Sequence, residues 1–357
     1  MFDFSKQIEA FWNENVRLSA TFKDKLLKHR QSNRDRLIAN LPEQIDDVTI
    51  GKSSFKPQGS MAMKTIIQTR FSEEEYDIDD GLVLWKSELI EENGKELTAM
   101  ETKERVCKAL KDKRFNRQPK LHTNCVRVFY ADEDEEKHHV DFAIYRKYSK
   151  SDGEEERELA SGENWVISDP TQVNLWFEDE IVVLNEETDG KGTQMRKLVQ
   201  LLKRFCRSRK DWDLPNGMKL TMLISECQPE FSERIDKAFR DLLKKLKTRL
   251  ETSKIIRNLA HPDKPLITRT SSDDNVCELL NKIIEALENL EKLDDEDCKR
   301  TDANKAWNWV FKSDGFFDDF DGGDDEGNGS KGPKSSSGLA SSIPSSPVDH
   351  QGGGRFG

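Results

Sequence analysis

Asp77 and Asp79 stand two residues apart in Tyr76-Asp77-Ile78-Asp79-Asp80-Gly81, and a third carboxylate, Asp141, interrupts the apolar run His139-Val140-Asp141-Phe142-Ala143-Ile144-Tyr145. Side chains alternate along a strand, so an extended Glu75 to Trp85 sends Asp77 and Asp79 to one face, about 7 Å apart, while Ile78 enters the core. A charge among apolar neighbours is costly unless it is paired or binds metal. If the strand of Asp141 lies beside the first, three carboxylates meet. Two Mg²⁺ ions, with Mn²⁺ as a substitute, relieve their repulsion, because hard cations take oxygen ligands and complete their shells with water and phosphate. Such a centre performs phosphoryl transfer: one ion helps deprotonate an attacking hydroxyl, and the other holds the triphosphate and leaving pyrophosphate. Asp141 is assigned nearest the attacking hydroxyl, as metal ligand and general base.

Upstream, Pro57-Gln58-Gly59-Ser60-Met61-Ala62-Met63-Lys64-Thr65 supplies a small residue and a hydroxyl. If Gly59-Ser60 opens a helix, phosphate can approach backbone N–H groups there. Gly-Ser alone reads as a turn with a helix cap, and Asp-x-Asp alone as a strand end with an acidic loop. Their combination with an isolated Asp between hydrophobic residues is far more specific.

These residues need a sheet to hold them. Short β-rich runs occur at Val48-Thr49-Ile50, Leu82 to Trp85, Val126 to Tyr130 and Val140 to Tyr145, with a helical stretch near Lys103 to Leu110, so an α/β or α+β domain is expected. Residues 1–40 read as amphipathic helices bracing this unit. After Glu187 three helical stripes follow: Met195 to Phe205, Ile235 to Leu250, and Ile283 to Leu293. The organisation expected is a catalytic domain over 1–185, a helical domain over 186–318, and a disordered Gly/Ser-rich tail over 319–357.

The net charge of −11 argues against a protein that coats duplex nucleic acid, and no stable nucleic-acid complex is expected. The six cysteines have no metal-site spacing and read as reduced thiols. No apolar run reaches membrane-span length and no signal segment is evident, so a cytoplasmic protein is expected. His138-His139 beside Asp141 cannot both face one ion, since neighbours on a strand point oppositely, and both are assigned structural roles. The runs Asp132 to Glu136 and Glu154-Glu155-Glu156 read as solvated loops.

Gln58-Gly59-Ser60, Asp77-Ile78-Asp79 and His139-Val140-Asp141 together resemble the signature of the DNA polymerase beta-type nucleotidyltransferases. Within that superfamily the chain is similar to the bacterial cGAS/DncV-like family from about residue 45 to 315. The runs Gln58 to Thr65, Tyr76 to Gly81 and Trp165-Val166-Ile167-Ser168-Asp169-Pro170 resemble its DncV branch in particular. The resemblance implies an α+β fold: a catalytic domain with a central mixed sheet, faced by a helical domain over 186–318 like that of oligoadenylate synthases, which closes a cleft holding the triphosphates. It implies nucleotide contacts from Gln58, Gly59 and Ser60, a triphosphate-binding role for Lys203, a phosphate-contacting hydroxyl at Thr221 and an acceptor-nucleotide contact from Arg127. The implied activity is synthesis of a cyclic dinucleotide or trinucleotide messenger from ATP and GTP, cyclic GMP-AMP being favoured, in anti-phage defence. Alternatives are transfer of a nucleotide to tRNA or protein, or a non-catalytic scaffold. Relatives that end in a mobile tail with a small last residue suggest that Gly357 is a conjugation site for a ubiquitin-like conjugating enzyme.

Overall fold

The structure, a computed structural model, describes residues 1–71, 74–91, 93–130, 137–182, 193–260 and 273–320. Seven strands among them form one mixed sheet: β1 (Phe55–Pro57), β2 (Tyr76–Trp85), β3 (Lys120–Leu121), β4 (Val126–Tyr130), β5 (His138–Ser149), β6 (Glu155–Ser161) and β7 (Asn164–Ile167). At its centre β2 and β5 run parallel, with Asp77 opposite His139 and Asp79 opposite Asp141. The other edge of β5 pairs antiparallel with β4 in its first half and with β6 in its second.

Parallel neighbours require a long crossover, and here it contains α4 (Ala99–Leu110). Thr98 and Glu101 start that helix by reciprocal capping: Glu101 N–H donates to Thr98 Oγ1 at 3.1 Å, and Thr98 N–H to Glu101 Oε2 at 2.8 Å. Ile78, Leu82 and Leu84 of β2 and Val140, Phe142 and Ile144 of β5 pack on one face of the sheet. They share a core with Val106 and Leu110 of α4 and with Leu26 and Leu37 of α2 (Ala20–Asn40). Asp80 emerges on this same face, where the Arg34 guanidinium of α2 donates two hydrogen bonds of 2.6 Å to it.

A second core gathers α6 (Thr193–Cys206), α7 (Gly217–Cys227), α8 (Ile235–Thr252), α9 (Asp274–Glu291), α10 (Arg300–Phe311) and α11 (Phe316–Asp319). Residues assigned from the sequence to the sheet's domain also lie in it. They are Phe4, Ile8 and Phe11, on or beside α1 (Ser5–Phe11), together with Trp176 of α5 (Gln172–Trp176) and Phe177. Phe4 stacks on Trp307, and Phe11 packs on Phe311 and Phe317, so large aromatics meet aromatics.

Two local expectations are corrected. Val48-Thr49-Ile50 is not a strand, and the first strand is Phe55–Pro57. Glu155 and Glu156 are not loop residues: they begin β6 opposite Ser149 and Tyr148, with Lys147 Nζ 2.9 Å from Glu155. A cross-strand cation makes the acidic run tolerable there. The run Asp132 to Glu136 and the tail from 321 to 357, including Gly357, lie outside the described residues. No described helix is long and apolar enough to cross a membrane.

Candidate active site

The strand register decides which side chains meet. Alternation along β2 sends Asp77 and Asp79 to the face opposite Ile78, and along β5 it sends His139 and Asp141 to that same face. Ligand atoms of Asp77, His139 and Asp141 all lie within 4.8 Å of one another. His139 is thus part of the acidic cluster, which corrects its structural assignment; His138 points the other way, its Nε2 2.7 Å from His29 Nδ1 and its ring against Tyr130. His139 Nδ1 is 3.1 Å from Glu75 Oε2, and its Nε2 lies 3.2 Å from Asp77 Oδ1. Burial alone would lower the imidazole pKa, but the carboxylates of Asp77, Glu75 and Asp141 outweigh it and push the ring up to about 9.

Asp79 sits deepest. Burial first, and then the charges of Asp77 and Asp141, hold its carboxyl well above the usual range, and its buried Oδ1 has no hydrogen-bond partner among the described residues. Gly59 opens a single turn, α3 (Gly59–Ala62), with a φ of +63°, and a Cβ there would fall 1.9 Å from Asp79 Oδ2. Glycine therefore serves both the left-handed backbone and the close approach of the carboxylate.

Arg127 of β4 lies opposite Asp141 and grips it in a fork, Nε to Oδ1 at 2.7 Å and Nη2 to Oδ2 at 2.6 Å. The guanidinium expected on a nucleotide is therefore engaged with the third carboxylate. Gln58 is buried and its Nε2 donates to Tyr145 Oη at 3.2 Å, so its side chain supports the sheet rather than the cleft.

Above this face lies a cleft of about 220 Å³, lined by Gly59, Ser60, Asp77 and Asp79 below and by Lys203, Arg207 and the start of α7 above. One row of α6 spans the gap. Arg196 Nε donates to Met63 O at 3.2 Å, and Gln200 Nε2 to Lys64 O at 3.3 Å and Ile66 O at 3.0 Å. Lys203 Nζ follows, donating to Thr65 O at 3.0 Å and to Thr65 Oγ1 at 3.2 Å. Burial, and then the nearby Arg207 charge, bring the Lys203 ammonium down to about 7 against the pull of Asp79. Thr221 does not reach the cleft: it is fully buried and donates to Gly217 O at 2.7 Å, leaving Asn216, Gly217 and Met218 as the α7 residues at the wall.

A divalent cation fits this donor set. Asp77 and Asp79 line the cleft, Asp79 Oδ1 lacks a partner, and carboxylate oxygens suit hard cations, while the His139 nitrogen widens the choice to softer ones. Sequence reasoning missed His139, although its spacing to Asp141 repeats that of Asp77 to Asp79. It also missed Arg207, one helical turn beyond Lys203.

Residues 53–145 match the family model of the cyclic GMP-AMP synthase DncV-like nucleotidyltransferase domain. The fold is similar to that of the Vibrio cholerae cyclic AMP-GMP synthase DncV. Its complex with nonhydrolyzable GTP superposes with a TM-score of 0.67 at 16% identity, covering 87% of this chain and 96% of that one. The complex with the linear intermediate 5′ pppA(3′,5′)pG gives 0.65 at 16% identity over 87% and 96%. A mutant of the same enzyme holding ATP and GTP gives 0.66 at 16% identity over 86% and 95%. The family model thus marks residues 53–145, which carry the carboxylate-lined face, as similar to a DncV-like nucleotidyltransferase domain, and the chain shares the fold of the DncV enzyme.

Proposed function

We propose that the protein is a metal-dependent synthase that joins nucleoside triphosphates into a cyclic oligonucleotide messenger, with ATP and GTP as substrates and cyclic GMP-AMP as the favoured product. The observation that carries this reading is the β2–β5 register, with Asp77 and Asp79 opposite His139 and Asp141 under a cleft whose upper wall is cationic. In each step a ribose hydroxyl oxygen bonds to the α-phosphorus of a triphosphate, the bond from that phosphorus to the bridging oxygen breaks, and pyrophosphate leaves. Two such steps close a dinucleotide ring. Asp77, Asp79 and Asp141 would hold two Mg²⁺ ions, which supply charge neutralisation and polarisation of the phosphate oxygens. The hydroxyl proton passes to an Asp141 oxygen once Arg127 yields one of the two it holds. Ser60 and Lys203 hold phosphate at the two walls, and Arg127, when released, faces the acceptor nucleotide.

The same reading assigns the catalytic unit to 1–185 and the cleft-closing helices to 186–318. It places the enzyme in the cytoplasm, with a role in anti-phage defence and with Gly357 as a conjugation point for a ubiquitin-like conjugating enzyme. Deleting Arg355 to Gly357 should remove conjugates and leave the synthase active.

The deciding experiment incubates the protein with each triphosphate alone and in mixtures, with Mg²⁺ or Mn²⁺. A phosphatase-resistant small product, absent in Asp77→Asn with Asp79→Asn, is expected. Nucleotide label appearing only on RNA or protein would overturn the reading.

A further inference from the structure

The α6 row does not stop at Lys203. Arg196, Gln200 and Lys203 each donate to the loop of residues 63–66, and Arg207 comes one turn later, where that loop has ended. Arg207 lines the cleft, is exposed, and has no hydrogen bond or ion pair from its guanidinium to any described residue. Lys203 is differently committed. Two of its three N–H donors go to Thr65, and the start of α7 presses against it, since a Cβ on Gly217 would lie 2.8 Å from Lys203 Cε. The two cations are close enough for Arg207 to lower the Lys203 pKa, and neither has a carboxylate at ion-pair distance among the described residues. Two cations on one wall of a cleft, with no carboxylate among the described residues in ion-pair contact with either, form a site that gains energy when a multiply charged anion enters between them and the metal-binding acids of the facing wall.

We propose that Arg207 is a second phosphate-binding side chain of the cleft, and that it supplies more donors to the polyphosphate tail of a bound nucleoside triphosphate than Lys203 does. This rests on the synthase reading above. A guanidinium offers five donors in a fork that matches paired phosphate oxygens, whereas Lys203 keeps one donor to spare. Lys203 then serves phosphate with its remaining donor while its other two fix the Thr65 loop, and through it the turn carrying Gly59 and Ser60.

The test is calorimetric titration of inorganic tripolyphosphate into the full chain in magnesium-free buffer, for the wild type, Arg207→Lys and Arg207→Gln, with thermal melting as the folding check. Arg207→Gln should weaken tripolyphosphate binding about tenfold or more without lowering the melting temperature. Arg207→Lys should recover part of that loss, and KM for the triphosphates should rise in parallel while kcat changes less. Equal affinity in the wild type and Arg207→Gln would overturn the assignment and leave the synthase reading standing. A wild-type protein that binds no tripolyphosphate, yet makes a cyclic product, would also overturn it. Absence of both binding and product would remove the reading on which it rests.

Discussion

Asp79 is a carboxylate placed where a carboxylate is costly. It is buried, repelled by Asp77 and Asp141, and missing a partner at Oδ1. Function and stability should therefore separate at this position. Asp79→Asn keeps the shape and removes the charge, so turnover should fall by orders of magnitude while the metal-free protein unfolds no more easily than the wild type, as paired activity assays and urea denaturation would reveal. Gly59→Ala should cost about 1–3 kcal/mol and abolish activity, because both its positive φ and the Asp79 carboxylate oppose a Cβ; the same two assays check it. His139 carries a pH signature. Its folded-state pKa of about 9 exceeds the ordinary value near 6.5, so its stabilising contribution is full below about 6.5 and is lost as pH rises through 9. Melting temperatures in chelator should fall over that window more in the wild type than in His139→Asn. The alternation that puts Asp77 and Asp79 on one face was readable from spacing alone. The partners of Arg127 and Gln58 were not, because each is chosen by a residue brought in from elsewhere in the fold, Asp141 and Tyr145; Thr221 instead turns back onto Gly217 of its own helix, an orientation that spacing does not reveal.

Among the elements, α2 is more than a cover for the sheet. Alternation along β2 that exposes Asp79 to the cleft necessarily turns Asp80 into the opposite face, where Arg34 neutralises it. Arg34→Met should cost about 3–5 kcal/mol, since it strands a buried carboxylate, and adding Asp80→Asn should recover much of that loss in the same denaturation series. Long stripes such as Met195 to Phe205 and Ile235 to Leu250 were legible because several turns repeat one apolar face. The short strands β1, β3, β6 and β7 were not. β3 is two residues long and exposed, and the acidic start of β6 is tolerated through Lys147 across the ladder rather than through any pattern of its own. Val48-Thr49-Ile50 has strand-forming residues but pairs with none of the described strands.

On the scale of the whole molecule, the α6 row joins the helical core to the turn that carries Gly59 and Ser60. Gln200 is its middle rung, donating to two loop carbonyls and accepting from Trp12 Nε1 at 2.8 Å. Gln200→Leu should lower stability by about 1–3 kcal/mol and raise KM for the triphosphates, measured by denaturation and by initial rates. The position of α1 was hidden from the sequence because amphipathic spacing reveals an apolar face but not its partner. Phe4, Ile8 and Phe11 join residues from 195 to 317, bypassing the sheet that follows them in the chain. That routing imposes an order on synthesis. The ribosome makes these aromatics long before their partners Trp307, Phe311 and Phe317, so they wait through the making of the intervening chain, and contacts of such long sequence separation form late. The sheet with its carboxylates can assemble during translation, but the cationic wall above it is braced only after α10 and α11 emerge. A polypeptide interrupted before them would hold the acids without their roof and, on the synthase reading, should turn over no triphosphate.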